Sequence, residues 1–162
     1  MTTLLSGTPD NIFPLFGAGS PVRISDIFSP ERHLAYSLPL FLEPVSAGFP
    51  SPAGDYVEGK LDLNQHLIRH PAATFFVRVT GDSMIGAGIH SGDILIVDRA
   101  LEPVDGKVVV VALDGELTVK RLSTRNGKVV LLPENERYSP IEITAERQFE
   151  VWGVVTNVIH AL

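Results

Sequence analysis

Two β-rich runs, Lys107–Leu113 and Glu116–Leu122, are separated by only Asp114-Gly115. A two-residue Asp-Gly loop suits paired strands because both positions accept the positive φ of a type I′ turn. The loop predicts a hairpin and sets its register, with Leu113 facing Glu116 and Val109 facing Lys120. Other runs repeat the pattern. Thr74–Val79 is rich in β-branched and aromatic residues, and Ile94–Asp98 follows Gly92-Asp93. Lys128–Leu132 follows the turn Asn126-Gly127, and Tyr138–Ile143 and Val151–Ile159 complete the set. Short strands joined by turns predict a mainly β, antiparallel domain. One short helix is expected over Asp62–His70. Leu63 and Leu67 share a face, Asp62 or Asn64 can cap the start, and Pro71 ends it.

The first 47 residues read differently. They hold six of the twelve prolines, at 9, 14, 21, 30, 39 and 44, and no amphipathic period persists. Residues 1–47 are therefore expected to be an extended, flexible arm, with apolar patches at Ile12–Phe16 and Leu38–Leu42, and 48–162 the β-rich core. The arm is too short and too proline-rich for a helix-turn-helix domain.

Composition removes several classes of function. A net charge of −6 disfavours general coating of DNA or RNA. With 0 cysteines there is no disulfide, no Cys-ligated zinc and no thiol nucleophile. The longest apolar run, Val108–Leu113, falls far short of the ~20 residues that span a bilayer. The first basic residue is Arg23, so the charged start of a secretory signal is missing and a cytoplasmic location is expected.

Among the lysines, only Lys120 sits mid-strand where a sheet can remove its water. Lys60 is read in a polar loop, Lys107 at a strand start and Lys128 after a turn. Parity leaves open whether Lys120 or Arg121 points inward, but only a lysine can be deprotonated when buried. Ser83 follows a strand in the glycine-rich stretch Gly81-Asp82-Ser83-Met84-Ile85, with Gly86, Gly88 and Gly92 beyond. A nucleophile needs such a tight turn, with backbone N–H groups free to stabilise an oxyanion. The tripeptide Gly-Asp-Ser alone does not separate a nucleophile from an ordinary turn serine.

Taken in order, these stretches resemble the LexA/UmuD-type self-cleaving serine peptidases. The likeness rests on Gly81–Ile85, Gly88-Ile89, Gly92–Asp98 and Asp114–Leu122. Ala47–Glu58, Asp62–Gln65, Tyr138–Ile141 and Gly153–Val155 draw it toward the UmuD branch. It runs from about Leu38 to the C-terminus and leaves residues 1–37 outside. The resemblance implies Ser83 as nucleophile and Lys120 as general base, with the backbone N–H groups of Asp82 and Ser83 as oxyanion donors. A free lysine, with a pKa near ~10.4, is protonated at neutral pH; burial can lower that by up to ~3–5 units. Val109, Val111 and Leu122 are positioned to supply the burial if Lys120 faces inward.

The substrate implied is the chain itself. Four Ala-Gly bonds exist, at 18–19, 47–48, 53–54 and 87–88. Ala87-Gly88 belongs to the nucleophile motif, Ala53-Gly54 follows a proline, and Ala18-Gly19 lies farther off along the chain. In Val45-Ser46-Ala47-Gly48, Val45 and Ala47 share a face of an extended strand and can enter a cleft together. Ala47-Gly48 is the expected cut. The UmuD branch carries Cys-Gly there, and this chain carries the Ala-Gly pair of the LexA branch.

The resemblance further implies a homodimer, stimulation by the RecA nucleoprotein filament, and a UmuC-like Y-family polymerase that takes up the processed core for translesion synthesis. No cofactor, no metal, no membrane and no sequence-specific DNA binding are expected. A rival reading is a non-cleaving, polymerase-accessory dimer with a vestigial dyad. A LexA-like repressor is disfavoured by the missing DNA-binding domain. His66 and His70 lack a following Glu and a third ligand, so they are expected as surface histidines. His90, Ser91 and Asp93 are triad residue types crowded into one turn, too close for triad geometry. Val151–Ile159 is expected as core, dimer contact or both.

Overall fold

The computed structural model describes residues 21–28, 37–41 and 57–162. In chain order it contains β1 (Arg23–Phe28), β2 (Ser37–Phe41), β3 (Val57–Asp62), α1 (Leu63–Leu67), β4 (Thr74–Thr80) and β5 (Ile94–Asp98). Then come β6 (Val108–Leu113), β7 (Glu116–Arg125), β8 (Lys128–Leu132), β9 (Ile141–Ile143) and β10 (Phe149–Ile159).

The Asp114-Gly115 loop does what its chemistry requires. Leu113 pairs with Glu116 and Val109 with Lys120, and the two loop residues have φ of 50° and 86°. Asn126 (φ 53°) and Gly127 (φ 73°) join β7 to β8 in the same way.

The larger sheet runs β1-β4-β5-β10-β6-β7-β8-β9, and β1 pairs a second time with β7. Its strand pairs are antiparallel. The first six strands thus close on themselves, with β1 as the closing stave. β8 and β9 continue outward from β7, and β2 and β3 form a separate pair. The mainly β, antiparallel architecture expected from the sequence is present.

Cross-strand partners share a face, so the β6–β7 register sorts the core. Val110 and Val119, paired, join the cluster that holds Val22, Val77 and Val97. Val109 lies on the opposite face, with Val111, Leu122, Leu131 and Val154. Lys120 pairs with Val109 and belongs to that second face. Burying each such valine stabilises the fold by ~1.5–3 kcal/mol before chain entropy is subtracted.

β10 lies inside the sheet, with one edge on β5 and the other on β6. Its register shifts between Val151 and Gly153 and again between Val155 and Asn157. Such bulges bend a long strand around a closed sheet. A Cβ at Gly153 would stand 2.8 Å from Val97 Cγ1, so only glycine fits this crossing. The two pairings use different halves of the strand, Phe149–Val154 on β6 and Val154–Ile159 on β5.

Three strands were not anticipated. β1 and β2 fall in the proline-rich arm, and Lys60, expected in a loop, is an exposed residue of β3. The helix is shorter than expected. Asp62 caps it, its Oδ1 accepting from the Asn64 N–H at 2.9 Å and the Gln65 N–H at 3.5 Å. It stops at Leu67, because Ile68 is extended (φ −106°, ψ 95°) and none of its residues is buried to hold a further turn. Among the described residues no helix is long and apolar enough to cross a membrane.

Candidate active site

Ser83 sits on the turn that follows β4 and is completely buried. Gly81 opens the turn at φ 95°, a backbone region that suits glycine, and its N–H donates to Ser91 Oγ at 3.3 Å. The segment 134–138 braces the turn from the other side. The Glu134 N–H donates to the Ser83 carbonyl at 2.8 Å, and the Gly86 N–H to the Glu134 carbonyl at 2.7 Å. A Cβ at Gly86 would stand 2.7 Å from that carbonyl oxygen, so glycine is required for close approach. Asn135 Nδ2 donates to the Asp82 carbonyl at 3.0 Å, and the Tyr138 hydroxyl bonds the Asp82 carboxylate. Burial and that carboxylate push the Tyr138 phenol up to about 12.

Lys120 comes from mid-β7 and is 5% exposed. Its Nζ lies 3.0 Å from Ser83 Oγ, 3.0 Å from the Val119 carbonyl and 3.3 Å from Thr118 Oγ1. Among the described residues no carboxylate pairs with it. Burial alone lowers its pKa to about 8, since an ammonium loses hydration that apolar neighbours do not replace. The parity question is thereby resolved. Lys120 turns to the Val109 face, while Arg121 turns away to bond the Glu134 carboxylate and the Gly106 carbonyl.

A third group meets the pair. The Val22 N–H donates to Ser83 Oγ at 3.1 Å, and Thr118 Oγ1 donates to the Val22 carbonyl at 3.0 Å. Val22, just ahead of β1, is completely buried. Sequence reasoning gave no reason to place it here, 61 residues from Ser83. The N–H groups of Asp82 and Ser83, expected as oxyanion donors, find no acceptor among the described residues. Ala47 and Gly48 lie outside the described residues.

His66 and His70 are exposed, as expected. His70 Nδ1 lies 2.6 Å from Asp98 Oδ2, so it is tied to the sheet and not paired with His66. Ser91 serves Gly81 and makes no triad. Asp93 instead meets two histidines: His160 Nδ1 at 2.6 Å and His90 Nδ1 at 3.8 Å. These three side chains bring ligand atoms within 4.8 Å of one another and are of the type that holds a divalent metal. His160, near the C-terminus, gave no local signal.

The chain is similar to proteins of one family. The Peptidase S24-like family matches residues 39–156. Protein SamA of Salmonella typhimurium is 48% identical over 135 residues, covering 83% of this chain and 94% of that protein. Protein ImpA of Escherichia coli is 46% identical over 132 residues, covering 78% and 86%. Protein MucA of Escherichia coli is 43% identical over 134 residues, covering 82% and 91%. A match of this extent, on a β sheet that brings a buried serine and lysine together, means that the chain belongs to the Peptidase S24-like family, of serine-peptidase kind.

Proposed function

We propose that this chain is a UmuD-like self-cleaving serine endopeptidase that cuts its own Ala47-Gly48 bond. The observation that carries the reading is the 3.0 Å approach of Lys120 Nζ to Ser83 Oγ in a site closed to water. Neutral Lys120 takes the Ser83 hydroxyl proton as Oγ attacks the Ala47 carbonyl carbon. The resulting oxyanion is met by the N–H groups of Asp82 and Ser83. As the C–N bond breaks, the Lys120 ammonium returns a proton to the departing Gly48 nitrogen. Water, activated by the same lysine, then hydrolyses the Ser83 ester. The products are an arm ending in the Ala47 carboxylate and a core beginning at Gly48.

The core, 48–162, then acts as a homodimeric accessory subunit of a UmuC-like translesion polymerase in the bacterial cytoplasm. The RecA filament promotes cleavage by favouring the arm-inserted conformation, adding no catalytic group of its own. The family resemblance supports these partners. Mass spectrometry of purified full-length chain after incubation tests the reading. A core fragment starting at Gly48, lost in Ser83→Ala and in Lys120→Ala, is expected. A chain that stays intact, with or without RecA filament, would make it the non-cleaving accessory dimer.

A further inference from the structure

We propose that the groove between β4 and β7 beside Ser83 is a strand-accepting site. At rest it is filled by this chain's own Val22–Phe28 segment, which must withdraw before Ala47-Gly48 can reach the nucleophile. The inference rests on the peptidase reading above and adds how that site is occupied and released.

Three observations carry it. First, β1 is the only stave joining β4 to β7 among the described residues. It pairs along β4 from Arg23–Thr80 to Phe28–Phe76, and Arg23 also pairs with Thr118 of β7. Ser83 follows β4 and Lys120 lies on β7, so the β1 position is where an extended substrate would run past both. Antiparallel addition to free strand edges is a common way to hold an extended peptide.

Second, Val22 occupies the dyad with both of its backbone groups. Its N–H donates to Ser83 Oγ and its carbonyl accepts from Thr118 Oγ1, the hydroxyl that also contacts Lys120. The group presented to the nucleophile is an amide N–H, not a carbonyl carbon. Ser83 Oγ is engaged by both Val22 and Lys120, and this arrangement offers it no bond to attack.

Third, the occupant and the expected substrate share one pattern. Val22 is buried and Ile24 partly buried, whereas Arg23 and Ser25 are exposed. The same two-residue spacing puts Val45 and Ala47 on one face of an extended strand. The two segments therefore compete for one groove. β1 is bulged midway, between Ile24 and Asp26, and Ile27 is 44% exposed. β1 also precedes the 39–156 span matched by the family, so the contact belongs to this chain's N-terminal segment. When the competent state is a minor one, observed rate scales with its population.

The test uses full-length chain carrying Val22→Asp and Ile24→Asp together. Self-cleavage at Gly48 is expected to run at least about tenfold faster than in the unaltered chain. A second readout needs no cleavage. On a Ser83→Ala background, a fluorescent peptide of residues 21–28 should bind the doubly substituted chain and not the chain with an intact β1. If the unaltered chain cuts itself but the double variant is no faster and captures no peptide, the groove proposal is overturned while the peptidase reading stands. If nothing is cut but the peptide still binds only the opened chain, the groove stands and the peptidase reading falls.

Discussion

Lys120 Nζ lies 3.0 Å from Ser83 Oγ across 37 residues of sequence. β7 delivers one atom and the turn after β4 the other, and neither side chain reaches bulk water. The chemistry of the site follows from the balance between an ammonium held by three oxygens and the burial that discourages its charge.

Lys120→Arg should fold and be inactive. A guanidinium keeps its positive charge at any working pH and cannot accept the Ser83 proton. Formation of the 48–162 fragment, followed by mass spectrometry, should fall at least about 100-fold between pH 7 and 9. Undiminished cleavage would remove Lys120 from the role of base.

Lys120→Met should stabilise the chain at neutral pH by about 1–3 kcal/mol, because a buried charge without a counter-ion is replaced by an apolar side chain of similar length. The sign follows from linkage. The folded pKa, about 8, lies below the ordinary 10.5, so the penalty is complete below pH 8 and relieved as pH rises toward 10.5. Tyr138 acts oppositely: its folded value is raised from 10.0 to about 12, so its contribution is lost as pH passes 10. Urea unfolding between pH 7 and 9.5 isolates the lysine. Stability attributable to this site should rise with pH in the unaltered chain and not in Lys120→Met.

Tyr138→Phe removes the hydroxyl that holds Asp82. A hydrogen bond to a charged group contributes about 1.5–3 kcal/mol, less where the carboxylate is partly exposed, so a loss of about 1 kcal/mol is expected. Cleavage should slow several-fold while its pH midpoint stays where Lys120 sets it. A shifted midpoint would mean that Tyr138 acts on the lysine and not on the turn.

Gly86→Ala and Gly88→Ala separate two uses of glycine. At Gly86 the new Cβ meets the Glu134 carbonyl at 2.7 Å, so the brace must move, at a cost of about 1–3 kcal/mol. At Gly88 nothing lies within 4 Å, but φ is 75°, and the cost should be near 1 kcal/mol. Thermal unfolding should rank them in that order, with cleavage suppressed more at Gly86.

The features legible in the sequence were local ones. Asp114-Gly115 sets the β6–β7 register through turn chemistry, and that register put Lys120 opposite Val109 before any tertiary contact was known. Asp62 and Asn64 both offered a cap at the helix start and Asp62 takes it, while the end at Leu67 depended on burial that no cap signal encodes. β1 was illegible because Arg23–Phe28 lies between prolines at 21 and 30 and has little β patterning; its strand exists through the edges that β4 and β7 offer it. The brace at Glu134–Tyr138 and the meeting of His160 with Asp93 join segments far apart in the chain. Neither leaves a mark at the level of spacing.

The most direct test of the central claim is the pH dependence of self-cleavage in purified full-length chain, read as the rate of appearance of the Gly48-initiated core. If Lys120 is the base and burial holds its pKa at about 8, the rate should climb about tenfold per pH unit below pH 7 and level off above pH 8–9. A rate that is flat from pH 6 to 10, or that survives in Lys120→Ala, would contradict the account.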